Sequence, residues 1–141
     1  MIKVLFLDVD GVVNCRKTSN ENGWPIDPFM AFLVARIVDK TGCKIVLSSS
    51  WRHSVDARFV VRKRVMPFID ITPQSKKFEP DDFARGHEIA SWLRANTDVT
   101  KYAILDDFDE FLPDQKPNFF KTSIEFGLTQ EIADQVINHL N

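Results

Sequence analysis

Three short strand-like runs each end at a polar side chain, and this pattern constrains the fold more than any other feature of the chain. The polar residues that follow the runs are Asp8, Ser48 and Asp106. Short apolar runs of this kind are typical of strands buried on both faces of a parallel sheet. Ligands of such sheets bind at the carboxyl ends of the strands, so we expect the three polar side chains to meet at one edge. The runs are residues 4–7, 44–47 and 102–105.

The segments between these runs carry helical patterns. A helix is predicted from Asp27 or Pro28 to about Lys40, with Gly42 in the position of a C-terminal stop. The alternation of strands and helices predicts an α/β fold of three layers. It is Rossmann-like, with a central, mostly parallel five-stranded sheet flanked by helices. The other predicted elements are helices over 54–65, 85–95 and after 129, and strands over 68–71 and 119–122.

Length, charge and cysteine content restrict the class of protein. A chain of 141 residues with 44% hydrophobic residues fits one soluble domain over residues 1–141. The net charge of -2 gives no general reason to expect a nucleic acid or an anionic membrane as partner. Two cysteines do not make a disulfide framework, and we expect a cytoplasmic location. The apolar run before Asp8 is too short for a secretory signal, and the run over 29–35 is too short to cross a bilayer.

Four carboxylates follow two of the predicted strands. Asp8 and Asp10 lie two positions apart, and Asp106 and Asp107 are adjacent. Carboxylates placed together at a strand end are costly unless a cation compensates them. Oxygen ligands are those that Mg²⁺ prefers, so the four together predict a magnesium site.

A phosphate group is the ligand that the neighbouring residues favour. Ser48 and Ser49 offer hydroxyl groups at a strand end, where backbone N–H groups also bind anions. Arg85, Lys76 or Lys77 would supply a positive charge. A carboxylate nucleophile, a metal, a hydroxyl group and a cation together are typical of phosphoryl transfer.

The order of these motifs resembles a known superfamily. LFLDVDGVV is similar to the first motif of haloacid dehalogenase-like phosphatases, IVLSSS to the second and AILDD to the fourth. The resemblance spans residues 3–107. In addition, the strings SSWR, RGHEI, ILDD and GLT resemble the small haloacid dehalogenase-like domains of multidomain RNA repair proteins.

The resemblance implies a role for each acidic residue. Asp8 would attack phosphorus and form an aspartyl-phosphate. Asp10 would protonate the leaving group and then activate water. Mg²⁺ would be held by Asp8, by the backbone carbonyl of Asp10, and by Asp106 or Asp107. Ser48 would bind the phosphoryl oxygens.

One motif departs from the pattern of the superfamily. The third motif usually supplies a lysine, whereas the position before the predicted helix here reads Arg85-Gly86. An arginine carries the same charge in a forked geometry. Arg85 is therefore favoured for this role, with Lys76 and Lys77 as alternatives.

The substrate class follows from the resemblance alone. No loop is long enough for a separate cap domain, and open sites in this superfamily often serve large substrates. The working hypothesis is a phosphatase that acts on a nucleic-acid terminal phosphate or on another large phosphorylated molecule, with no membrane partner. The alternative is a non-catalytic module of a repair assembly that binds phosphate or nucleic acid. A receiver domain that accepts phosphate on aspartate fits less well, because Asp-x-Asp-Gly follows the first strand and the acidic pair comes late.

A local run of basic residues allows two interpretations. Such a run is usually a solvated helix face, and we favour that interpretation. The alternative is a patch that holds a nucleic-acid backbone near the site. The residues of the run are Arg52, His53, Arg58, Arg62, Lys63 and Arg64.

Overall fold

A single parallel sheet forms the centre of the protein. The computed structural model describes residues 1–20, 23–75 and 81–141. Lys76 and Lys77, two of the three candidate cations, lie outside the described residues. The sheet has the order β3-β2-β1-β4-β5, and every pair of neighbouring strands is parallel. The strands are β1 (Ile2–Leu7), β2 (Lys44–Leu47), β3 (Asp70–Ile71), β4 (Val99–Asp106) and β5 (Phe119–Lys121).

In the described ranges, four α-helices flank the sheet, in the three-layer arrangement that the sequence predicts. They are α1 (Pro28–Thr41), α2 (Val55–Arg64), α3 (Ala84–Ala95) and α4 (Gln130–Leu140). Two short 3₁₀ helices, Ser50–His53 and Pro113–Asn118, follow β2 and β4. Buried side chains of α1, α2 and α4 form the core on one face of the sheet. Ile89 and Trp92 of α3 form the core on the other face, where Trp92 contacts the ring of Phe6 edge-on.

The ends of α1 show how local residues define an element. The Asp27 carboxylate accepts hydrogen bonds from the backbone N–H groups of Phe29 (2.9 Å) and Met30 (3.2 Å), which caps the first turn. Gly42 adopts a left-handed conformation, with φ of 72°, and its N–H donates to the carbonyl of Val38. Both predicted ends of this helix are confirmed.

Four of the five strands differ in length from the prediction. β1 begins two residues early, at Ile2, and β5 ends one residue early, at Lys121. β3 contains only Asp70–Ile71, because pairing with β2 is restricted to the last residues before the loop at Thr72. β4 begins at Val99, three residues early, because its first residues pair with the start of β1. Backbone pairing thus extends a strand beyond its apolar run.

Hydrogen bonds continue the sheet one residue past the ends of the strands. The backbone N–H groups of Asp8, Ser48 and Thr72 donate to carbonyls of the neighbouring strand, each at 3.0 Å. Side chains alternate along a strand, so Asp8 lies on the same face as Phe6, which is the face covered by α3. Within the described ranges no inserted domain covers this edge, and no helix is long and apolar enough to cross a membrane.

Candidate functional site

A cavity of about 210 Å³ lies at the carboxyl edge of the sheet. It brings together all four predicted carboxylates and the predicted Arg85. The predicted convergence is therefore present for Asp8 and Asp106, whereas Ser48 is not among the residues that line the cavity. The lining residues are Asp8, Asp10, Ser50, Arg85, Asp106, Asp107, Phe108 and Glu110.

Three carboxylates form the acidic centre of this cavity. One oxygen from each of Asp8, Asp106 and Asp107 lies within 4.8 Å of the other two. Asp8 and Asp106 are buried at the ends of β1 and β4, and Asp107 is half-buried. Gly11 makes this approach possible: it has a φ of 78°, and a Cβ at this position would lie 2.5 Å from Oδ2 of Asp107.

Burial and mutual repulsion act on the pKa values of these groups. Burial, followed by the charge of Asp106, raises the pKa of Asp8 well above its usual range. The same two causes raise the pKa of Asp107. A cluster that resists ionisation in this way gains from a bound cation, which favours the charged carboxylates.

Arg85 supplies one positive charge to the cluster. Its Nη1 atom lies 3.1 Å from Oδ1 of Asp8 and 3.0 Å from Oδ2 of Asp106. Burial alone would lower the pKa of Arg85, but Asp8 and Asp106 outweigh burial and raise it. Its Nε atom is buried without a hydrogen-bond partner among the described residues. Among the described residues, one guanidinium thus contacts two of the three clustered carboxylates.

The first turn of α3 is held against the loop that follows β4, and this contact positions Arg85. The N–H of Gly86 donates to the carbonyl of Glu110 at 2.9 Å, and the Gln115 amide donates to the carbonyl of Gly86 at 2.8 Å. A Cβ on Gly86 would lie 2.7 Å from Oε1 of Gln115. The Arg-Gly pair therefore combines a cation with the close packing that directs it into the cavity.

Asp10 is set apart from the three clustered carboxylates. Its side chain is exposed, and each of its oxygens accepts one hydrogen bond. The Trp51 indole donates to Oδ2 at 3.0 Å, and the Asn14 amide donates to Oδ1 at 3.0 Å. The Asp10 side chain is therefore available for proton transfer, while the resemblance assigns metal binding to its backbone carbonyl. Sequence reasoning did not identify Trp51 or Asn14.

The three serines after β2 have different environments. The Ser48 hydroxyl is fully buried and has no hydrogen-bond partner among the described residues. The Ser49 hydroxyl is also buried, and it accepts a hydrogen bond from the N–H of Trp51 at 3.1 Å, which caps the 3₁₀ helix. Ser50 is exposed and lines the cavity. The structure thus gives Ser49 a capping contact and adds Ser50, which sequence reasoning did not single out, to the cavity wall.

Arg52 contradicts the interpretation of the basic run as a uniformly solvated face. Its side chain is 3% exposed and pairs with Glu88 at 2.9 Å. It also donates to the backbone carbonyls of Ser48, Ser49 and Thr72. The 3₁₀ turn after β2 directs this residue inward, whereas Arg62, Lys63 and Arg64 are exposed on α2. Its position in the string SSWR, directly after a buried strand, was the available signal.

The comparison with known families agrees with the fold and with this arrangement of residues. Residues 4–133 match the family described as the HAD domain in Swiss Army Knife RNA repair proteins. The chain belongs to this family, which confirms the resemblance that its motifs show. No curated protein and no solved structure matches the chain.

The donor set of the cavity fits a magnesium ion. Asp8, Asp106 and Asp107 offer only oxygen ligands, and of the residues that the structure describes only the Arg85 guanidinium pairs with them, which leaves an excess of negative charge. Mg²⁺ is bound in proteins by one or two carboxylates together with water and phosphate oxygens. The residues present therefore match the ion that such domains generally use.

Proposed function

We propose that the protein is a magnesium-dependent phosphomonoester hydrolase that acts through an aspartyl-phosphate on Asp8. The observation that carries this proposal is the arrangement at the end of β1. Asp8 lies beside two further carboxylates and within 3.1 Å of the Arg85 guanidinium. Positioning and charge neutralisation supply most of the catalysis in phosphoryl transfer.

The proposed reaction uses two carboxylates in sequence. An oxygen of Asp8 attacks phosphorus, the bond to the leaving oxygen breaks, and Asp10 gives a proton to that oxygen. Asp10 then takes a proton from a water molecule, whose oxygen attacks phosphorus and breaks the bond to Asp8. Inorganic phosphate is released and both carboxylates return to their starting state.

The remaining residues would bind charge and orient the phosphoryl group. Asp8, Asp106, Asp107 and the backbone carbonyl of Asp10 would hold Mg²⁺. The ion would supply positive charge beside the phosphoryl oxygens. Arg85 would add a second positive charge beside Asp8. Ser48 would bind a phosphoryl oxygen, as the resemblance implies, and its hydroxyl has no hydrogen-bond partner among the described residues.

A terminal phosphate of a nucleic acid is the substrate class that we propose. The family description places such domains in RNA repair proteins. The cavity is also small and uncovered within the described residues, which suits a phosphate presented by a large molecule. A non-catalytic module that binds phosphate or nucleic acid within a repair assembly is the second candidate, because an arginine occupies the position where the superfamily usually has a lysine.

A comparison of wild type with Asp8→Asn tests this proposal. Both proteins would be incubated with an aryl phosphate and with 5′- and 3′-phosphorylated oligonucleotides, in Mg²⁺ and in chelator. We expect phosphate release by wild type in Mg²⁺ only, reduced about 10³-fold or more in the variant. Equal release by the two proteins would contradict the proposal, and oligonucleotide binding without turnover would favour the non-catalytic module.

A further inference from the structure

We propose that Trp51 is a positioning residue that fixes the carboxylate plane of Asp10 for proton transfer to and from the substrate. This inference rests on the proposed function. Trp51 lies in the 3₁₀ helix after β2, 41 residues from Asp10 along the chain. Its indole N–H reaches the proposed reacting groups through the hydrogen bond to Asp10.

The geometry that supports this role is a pair of hydrogen bonds to one exposed carboxylate. The indole N–H of Trp51 donates to Oδ2 of Asp10 and the amide of Asn14 donates to Oδ1, each at 3.0 Å. A carboxylate on the surface rotates freely unless it is held. One donor on each oxygen fixes the plane of the group and leaves further lone pairs for a substrate proton. Proton transfer requires a carboxylate oxygen held at hydrogen-bond distance from the group that gives or takes the proton.

Trp51 is itself rigidly placed. Its side chain is 6% exposed and its ring contacts that of Trp24 edge-on, with centroids 4.9 Å apart. The backbone N–H of Trp51 donates to the Ser49 hydroxyl, and the next residue, Arg52, forms an ion pair with the buried Glu88. A donor on a packed ring loses little freedom when it binds Asp10, so it orients the carboxylate effectively.

Asn14 holds the other side of the same carboxylate. Its carbonyl oxygen accepts the N–H of Gly11 at 2.9 Å, and its amide also donates to the carbonyl of Pro25 at 3.0 Å. These contacts tie the turn after β1 to the segment that precedes α1. Removal of Asn14 would disturb this turn as well as Asp10, so Trp51 offers the cleaner test.

The test is Trp51→Phe, measured with two substrates that differ in leaving group. An alkyl alcohol needs a proton to depart more than a phenol of low pKa does. We expect kcat to fall about tenfold or more for an alkyl phosphate and distinctly less for an activated aryl phosphate, with little change in KM. A merely structural role would lower both rates by the same factor, and that result would overturn the inference.

Trp92→Phe provides a matched control. Trp92 is buried to a similar extent, at 4% exposed, and its indole donates to Oδ2 of Asp70 at 2.8 Å, away from the cavity. The ring of Trp92 also makes an edge-on contact, with Phe6. We expect this variant to show no difference between the two substrates. A leaving-group dependence equal to that of Trp51→Phe would contradict a specific role for Trp51.

Two further measurements separate this inference from the proposed function. In an Asp10→Ala background, Trp51→Phe is expected to cause no additional loss, and a full additional loss would overturn the inference. The ¹H–¹⁵N resonance of the Trp51 indole, assigned with Trp51→Phe, is expected to shift in Asp10→Ala while that of Trp92 stays in place. An unchanged Trp51 resonance would overturn the contact itself, whether or not the protein turns over phosphate. Absence of turnover in wild type with the shift present would instead count against the proposed function alone.

Discussion

Two arginines, both on the face of the sheet covered by α3, meet carboxylates in opposite ways. Arg52 faces one carboxylate, Glu88, and its remaining N–H groups bind backbone carbonyls, with both side chains under 9% exposed. Arg85 contacts two of three clustered carboxylates in the wall of a cavity, and its Nε atom has no partner among the described residues. The first cluster is balanced in charge and in hydrogen bonds. The second is balanced in neither.

This difference distinguishes a structural ion pair from a site prepared for a ligand. Arg52 joins the loop after β2 to α3 and to the end of β3, so its satisfied contacts hold three elements together. Excess carboxylate at the Arg85 cluster is costly to the fold unless a cation compensates it. We therefore expect substitutions at Arg52 to affect mainly stability and those at Arg85 to affect mainly activity.

The largest effect is expected for Arg52→Met. Removal of the guanidinium leaves Glu88 buried without its cation, and breaking a buried pair in this way costs about 3–5 kcal/mol. Urea unfolding would measure the loss. The double variant Arg52→Met/Glu88→Leu is expected to recover part of it, because no buried charge remains. A change as small as that of a surface substitution would show that this cluster does not hold the fold.

The next largest effect is expected for Arg85→Met, and it acts on the activation free energy of the reaction rather than on stability. Loss of a preorganised charge beside the transferring group lowers kcat by about 10²-fold. Arg85→Lys is expected to keep part of the rate, since it retains the charge. The unfolding free energy of Arg85→Met, measured in Mg²⁺, should change much less than that of Arg52→Met. If stability collapsed and the rate per folded molecule stayed the same, the contrast between the two arginines would be reversed.

The pH dependence of stability sharpens the contrast further. The pKa of Asp8 is raised in the folded protein. As the pH rises, the folded protein therefore keeps the proton of Asp8 at pH values where the unfolded chain has already lost it. Its contribution to stability is full below the usual pKa of 3.8 and falls as the pH rises toward the folded value. In chelator, the unfolding free energy of wild type relative to Asp8→Asn should therefore fall with rising pH. A difference that rises with pH would contradict the assigned direction.

The smallest effect is expected at an exposed ion pair, which serves as the reference for both clusters. Lys116 pairs with Asp109, and each side chain is 42% exposed. Solvent screens such a pair, so Lys116→Met should change the unfolding free energy by less than about 0.5 kcal/mol and leave activity unchanged. A loss comparable to that of Arg52→Met would indicate that burial is not what separates these pairs.

Local sequence predicted the parts of the site that depend on strand ends. Asp8 and Asp106 each terminate an apolar run, and the parallel order of the strands brings them together. Arg85 was chosen over two lysines from its place before a helix, and in the structure it contacts both aspartates.

The rest depends on contacts between distant segments. Trp51 meets Asp10 across 41 residues, and Arg52 meets Glu88 across 36. The sequence of the basic run predicts a solvated face, because the 3₁₀ turn that directs Arg52 inward is not evident from the sequence. Likewise, the sequence SSS does not reveal which hydroxyl caps a helix and which one lines the cavity.

Chemical trapping of the phosphorylated protein tests the central claim most directly. Wild type would be mixed with a phosphomonoester in Mg²⁺, quenched during turnover and reduced with borohydride, which converts an acyl phosphate to the alcohol. Mass spectrometry of the peptide that contains Asp8 should then find homoserine at position 8, and none after the same treatment without substrate. Turnover that proceeds while position 8 remains aspartate in every quenched sample would contradict Asp8 as the nucleophile.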